Sequence, residues 1–260
     1  MTVNFSDPPA RPHRISLFRF GIYASFFLSG LTSLLFEVLW SRQFVTVFGN
    51  SNYAISIVLC AYMAGIGLGG LLGGRLADRL SRRTFAFAII QAVIAFYALT
   101  IPPMLDWMRL LAPALSVVSS HSLLISTIAR FGLSFTVLVI PCFLMGTTLP
   151  LLVRAVTDSD KIIGSRIGLL YCVNTLGAAL GCLAGGFWLI GTFGLRATNL
   201  FAVVINFVIA AAALALSRYK AAVPAAVPKY QTQRPGDYQE PRVSSSVLLV
   251  IGFLNGLAAL

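Results

Sequence analysis

Charge is what this chain of 260 residues has least of: 10% of its side chains are charged, 8 are Asp or Glu, and 2 are His. So few acids leave little for an acidic metal cage or a pair of catalytic carboxylates. His13, His121, Asp158 and Asp160 stand at no catalytic or metal-ligating spacing, and all four are expected to be solvated. No catalytic residue, metal site or cofactor is therefore expected. The cysteines Cys60, Cys142, Cys172 and Cys182 show neither disulfide nor zinc spacing and read as small apolar packing residues. What remains is 58% hydrophobic with a mean hydropathy of +0.87, more than a soluble core of this length can bury. The composition is that of an integral membrane protein.

A bilayer core about 30 Å thick takes roughly 20 apolar residues per helix. Six runs qualify, near residues 20–40, 53–74, 84–104, 131–153, 167–190 and 198–216, and a seventh begins near 247 and reaches 260. The expected layout is an N-terminal segment (1–18), a six-helix bundle (19–216), a linker rich in Ala, Pro, Gln and charge (217–245), and the start of a seventh helix (246–260). The first run is too long for a signal-peptide core and is followed by no small-residue cleavage site, so an uncleaved helix is expected.

A net charge of +11 would invite nucleic acid in a soluble domain. The topology removes that need, and no nucleic-acid partner is expected. With the N-terminus cytoplasmic, the inner segments hold Arg11, Arg14, Arg19, Arg75, Arg79, Arg82, Arg83, Arg154, Lys161, Arg166, Arg218, Lys220, Lys229, Arg234 and Arg242. Only Arg42, Arg109, Arg130 and Arg196 fall outside, and the positive-inside rule fixes this orientation. A multi-pass inner-membrane protein is expected.

Internal repeats come next. FLSGLTSL at 27–34 matches FLNGLAAL at 253–260 after a shift of 226 residues. Half that distance gives a second match: a shift of 112 lays Gly65, Gly69, Gly73 and Gly74 on Gly177, Gly181, Gly185 and Gly186, and Arg42 on Arg154. Units of three helices enter the membrane from opposite sides, so the fold expected is all-α, a 3+3 inverted repeat. The seventh run would then open a second half, making this chain part of a twelve-helix protein; a natural six- or seven-helix protein is the alternative.

The stretch GGRLADRLSRR (73–83) resembles the loop signature of the major facilitator superfamily, GxLaDrxGrr. Gly74, Leu76, Ala77, Asp78, Arg79, Arg82 and Arg83 match, while Ser81 replaces the second glycine. The resemblance implies a major-facilitator-like half in which this loop gates: Asp78 can pair with basic residues, and the pair breaks when the halves rock. The competing explanation is that any tight inner loop collects arginines.

Three further stretches, LFEVLWSRQFVTVFGNSNYAISIVL (35–59), GTTLPLLVR (146–154) and GLLYCVNTLGAALGCLAGGFWLI (168–190), resemble the membrane part of fused major-facilitator/spermidine-synthase proteins. That family implies a soluble aminopropyltransferase-like domain after the helices. No strand–turn–helix that could bind its nucleotide substrate is legible. GIGLGG (65–70) satisfies GxGxxG but lies within an apolar run that follows no strand. No enzyme activity is expected of this chain itself.

Glu37 is the acid inside a proposed span, where burying a charge is expensive and a functional role is the default. Ser29, Gly30 and Ser33 share its face. Glu37 also lies within a turn of Trp40, where it could reach water or pair with Arg42, so a coupling role and an interfacial structural one both stand. Asn174, with Tyr171 one turn before it, reads either as an interhelical hydrogen bond or as a substrate contact. Gln91 and Tyr97 invite the same two readings. Gly65, Gly69, Gly73, Gly177, Gly181 and Gly185 form two small-residue stripes. These could face the other half, pack within this bundle, or join a second copy. Pro150 is expected to kink its helix, with Thr147 and Thr148 satisfying freed carbonyls. Residues 105–126 read as a long outer loop carrying a short interfacial helix.

The function expected is alternating-access transport of a small solute, such as a polyamine or a related metabolite, around a midplane site between the first and fourth helices. The rival is a membrane anchor or sensor for a downstream aminopropyltransferase-like enzyme. The partners expected are the lipid bilayer and either a C-terminal half or a second copy.

Overall fold

A computed structural model describes residues 12–48, 51–118, 123–156 and 163–221. They form α1 (Pro12–Phe48), α2 (Ser51–Arg79), α3 (Arg83–Val118), α4 (Leu123–Val156), α5 (Ile163–Leu183), a π-helical segment (Ala184–Leu189) and α6 (Ile190–Ala221). No strand occurs among the described residues. In lipid every backbone N–H and C=O must be satisfied within its own segment, so apolar runs of this length have helix as their solution. The seventh run and all of the linker beyond 221 lie outside the described residues.

Five helical stretches are long and apolar enough to cross a membrane: Phe18–Val45, Ile55–Arg79, Arg83–Trp107, Phe131–Val156 and Ile167–Arg218. The last covers 52 residues, about 78 Å at 1.5 Å per residue and far more than one crossing. It contains two of the expected runs. Between them the helix widens into the π segment and then breaks at Gly194, whose φ of 78° and ψ of 174° belong to a region nearly closed to other residues.

Packing gives the helix directions. Gly177 and Gly181 of α5, and Gly185 of the π-helical segment that follows it, lie in turn against Phe27, Leu31 and Leu35 of α1, so α5 and α1 are parallel. Gly65, Gly69 and Gly73 of α2 lie against Cys142, Phe143 and Thr147 of α4, a second parallel pair. By contrast α6 runs antiparallel to α1, with Gly21 beside Leu216 and, at the end that the expected topology makes the outer one, Leu39 and Phe44 clustered with Ala202 and Val203. The chain therefore reverses between α5 and α6. The third close pair is α3 with α6, joined by Asn199 Nδ2 donating to the Ala98 carbonyl at 3.0 Å and by an edge-on Phe96–Phe207 contact at 5.0 Å.

Two expectations about local structure change, the length of the loop after the third span and the carbonyls that Thr147 and Thr148 satisfy. The expected loop is shorter than 105–126, because α3 continues to Val118 through a stretch rich in Leu and Ala. Helix α4 also continues through Pro141 and Pro150. Thr147 and Thr148 donate to the carbonyls of Leu144 (2.7 Å) and Met145 (2.6 Å). The carbonyl freed by Pro150 is that of Gly146, one residue further on.

Candidate functional site

The buried apolar side chains fall into two clusters stacked along the bundle. The outer one joins Leu35, Phe36, Leu39, Trp40 and Phe44 of α1 to residues such as Ile94, Leu138 and Val203. The inner one joins Ile22 and Phe26 to residues such as Phe87, Leu152, Leu170 and Ile209. On helix after helix a polar side chain falls between the two: Ser29, Thr32 and Ser33 on α1, Gln91 on α3, Thr147 and Thr148 on α4, Asn174 on α5 and Asn206 on α6. All of these except Ser33 and Asn174 are buried. The result is a polar belt across the middle of the bundle.

Its members touch across helices. Gln91 Nε2 donates to Ser29 Oγ at 2.6 Å. The Ser33 hydroxyl lies 2.7 Å from the Tyr62 hydroxyl and donates to Met145 Sδ at 3.3 Å, so one small side chain ties together α1, α2 and α4. Asn174 sits with its carboxamide against the backbone of Gly30, where a Cβ would collide with its carbonyl oxygen. Tyr97 donates to the Val137 carbonyl at 2.8 Å. Buried polar groups in a membrane are tolerated when they are paired in this way.

Glu37 stands one turn outward of Ser33, half-buried, with its carboxylate near enough to Tyr62 and Cys142 to interact electrostatically. It forms no ion pair with Arg42. Five residues along a helix is about 140° round the axis, and Arg42 instead donates to the Gly186 carbonyl at 3.4 Å. Tyr171 is not in the belt either, being 61% exposed. Of the substrate or coupling candidates, Glu37 and Asn174 thus lie on the inward face, while Arg42 and Tyr171 do not.

The loop residues form a separate group at the C-terminal end of α2, the inner end in the expected topology. Asp78 pairs with Arg154 of α4 at 2.8 Å. Arg83 donates through Nε to the Ala77 carbonyl and through Nη1 to the Arg154 carbonyl, both at 2.9 Å. These bonds satisfy carbonyls at two helix C-termini, where a cation is favoured. Arg79 and Arg82 are exposed, and Gly74 has open space beside it.

The glycine stripes are filled within this chain. A Cβ on Gly69 would strike the Phe143 carbonyl, and one on Gly181 the Leu31 carbonyl, so α2–α4 and α5–α1 approach backbone to backbone. Neither stripe is a free face toward another half or a second copy. Sequence reasoning missed Tyr62, Met145, Asn199 and Asn206. Tyr62 and Met145 look like ordinary apolar-run residues, and only the fold brings them to Ser33. The two asparagines were legible as amides inside a span.

No protein-family profile matches the chain, and no solved structure matches it. The chain is similar to a protein of Streptomyces coelicolor named polyamine aminopropyltransferase 1, at 25% identity over 207 residues, covering 78% of this chain and 35% of the relative. The chain thus spans about a third of the length of the curated relative it matches. The likeness supports the spermidine-synthase side of the resemblance carried by residues 35–59, 146–154 and 168–190.

Proposed function

We propose that the chain is a major-facilitator-like half-bundle of six spans, a 3+3 inverted repeat, that moves a small solute by alternating access in the inner membrane with its N-terminus cytoplasmic. The observation that carries this reading is the symmetry of the contacts. Gly69 meets Phe143 while Gly181 meets Leu31, and Gly73 meets Thr147 while Gly185 meets Leu35. Each partner is its counterpart shifted by the same 112 residues. Ser33 and Met145, related by that shift, bond to each other, as residues on a pseudo-two-fold axis would.

A polar belt between an outer and an inner apolar cluster suits that mechanism. Each cluster can part in turn while the belt keeps its ligand, which is what alternating access needs. Glu37 is the carboxylate nearest the belt, so a cationic solute, a polyamine or a relative, is the class it favours. In the full-length protein reconstituted in liposomes, Glu37→Gln is expected to abolish pH-dependent spermidine uptake while leaving expression intact. Unchanged uptake between about pH 5 and 8 removes Glu37 from the mechanism. The topology has its own test: cysteines replacing Arg42 and Arg82 should label from opposite sides of the membrane, and labelling from one side would end the inverted-repeat reading.

A second reading is favoured by the Streptomyces relative, whose name is that of an enzyme. Here the bundle anchors, or senses solute for, an aminopropyltransferase-like domain and transports nothing. Robust methylthioadenosine production by the full-length protein together with no spermidine uptake would favour it.

A further inference from the structure

At the inner end of the bundle a cleft of about 590 Å³ opens between the α2–α3 turn and the ends of α4 and α6. Three arginines line it: Arg82 and Arg83 from the turn, and Arg218 from the end of α6. Ser81 and Thr84 add hydroxyls, while Ser217, whose hydroxyl donates to the Leu214 carbonyl at 2.7 Å, Ala155 and Leu214 complete the wall. Among the described residues no carboxylate lines it. Asp78, the acid on the adjoining turn, is already paired with Arg154.

Arg83 spends two N–H groups on helix carbonyls, which leaves three of the guanidinium's five free. Arg82 and Arg218 are exposed, and their guanidinium groups have no hydrogen-bond or ion-pair partner among the described residues. The positive-inside rule accounts for arginines at this end of the bundle. It does not account for three of them, with two free hydroxyls, converging on one concavity, because like charges brought together repel unless an anion joins them.

We propose that this cleft binds a phosphate-bearing anion, with the Arg82, Arg83 and Arg218 guanidinium groups on its oxygens and the Ser81 and Thr84 hydroxyls completing the set. Arginine forks match phosphate geometry, and their charge-assisted bonds are roughly twice as strong as neutral ones. Two sources carry that chemistry, a phospholipid headgroup and a free phosphate. The surroundings favour the lipid. Phe85, which lines the cleft, begins a row of exposed apolar residues, Phe85, Ile89, Val93 and Phe96, on one face of α3, along which an acyl chain can lie. Basic pockets between spans on the cytoplasmic side bind anionic headgroups by the same physics. The proposal is independent of whether the bundle moves a solute.

The test is native mass spectrometry of the full-length protein in detergent with added phosphatidylglycerol, phosphatidylcholine or inorganic phosphate. One phosphatidylglycerol per chain should be retained in preference to phosphatidylcholine. In Arg82→Gln/Arg218→Gln that retention should fall about tenfold or more, as loss of two charge-assisted contacts implies. The Arg82→Lys/Arg218→Lys protein should keep most of it, and this variant guards against a folding effect. Millimolar phosphate that displaces the lipid would identify a free phosphate compound as the occupant; phosphate without effect would identify the headgroup. Equal retention of both lipids, or no loss in the glutamine variant, overturns the proposal.

Discussion

The α2–α4 and α1–α5 seams solve one packing problem in the same way and end differently. Both align three glycines four residues apart and bring backbones into contact. Both run parallel, which sequential spans of one chain achieve with an odd number of spans between them, here one for α2–α4 and three for α1–α5. Yet the inner end of the α2–α4 seam is closed by the Asp78–Arg154 ion pair and by Arg83 on two helix carbonyls. The outer end of the α1–α5 seam has one long bond from Arg42 to Gly186 and passes into a π-helical turn. π-Turns inside helices are recurrent at functional sites. The comparison teaches that close packing fixes the pairs, while the polar chemistry at the ends decides which pair is latched.

Breaking a seam is expected to have the largest effect. Gly69→Val and Gly181→Val should each prevent recovery of a monodisperse protein, because even a Cβ meets a carbonyl oxygen and overpacking costs about 1–3 kcal/mol or more. Gly67→Ala and Gly168→Ala, with nothing within 4 Å, serve as controls. Alanine is favoured over glycine in a helix by up to about 1 kcal/mol, so their melting temperatures should hold or rise. Size-exclusion chromatography and thermal unfolding in detergent read both outcomes. A normal Gly181→Val protein beside a lost Gly69→Val protein would show that only the inner-latched seam is rigid.

These glycines were legible in the sequence, since a four-residue spacing and a 112-residue offset need no coordinates. What they touch was not legible, because a smooth stripe looks the same whether it meets a neighbour in the chain or another molecule. The long helices were equally plain, as runs of twenty apolar residues have one solution in lipid. The division of the last stretch was harder: Gly194 carries the break, but nothing marks it apart from the other 21 glycines. For the belt, Glu37, Asn174 and Gln91 announce themselves as polar groups in apolar runs. Tyr62 and Met145 acquire meaning only when Ser33 reaches them across the helix interface.

A middle-sized effect should come from the belt, which crosses both seams. Gln91→Leu removes the 2.6 Å bond to Ser29 and leaves a buried hydroxyl with one partner fewer. Interhelical hydrogen bonds in membranes are worth about 0.6 to 2 kcal/mol. A melting temperature lowered by a few degrees is expected, well short of the seam variants. Adding Ser29→Ala to Gln91→Leu should cost little more, since both partners are then apolar. Additive losses in the double variant would mean that the two residues act separately.

The smallest change in stability is expected at the latch, and there the interest lies in conformation. Asp78 and Arg154 are each 55% exposed, so solvent screening holds the pair to about 1 kcal/mol or less. Asp78→Asn should therefore leave the melting temperature almost unmoved. It should nevertheless free the inner end of α2 from α4, because Arg154 loses its charged partner while the glycine contacts deeper in the seam persist. A cysteine replacing Ala77, which is buried, would report this as a rise in labelling by a water-soluble maleimide. The matching experiment on the other seam is Arg42→Gln, which removes a 3.4 Å bond of an exposed side chain and should change labelling near Gly186 very little. If Asp78→Asn and Arg42→Gln altered accessibility equally, the two seams would be latched alike, and the inner end would have no special claim to gate the bundle.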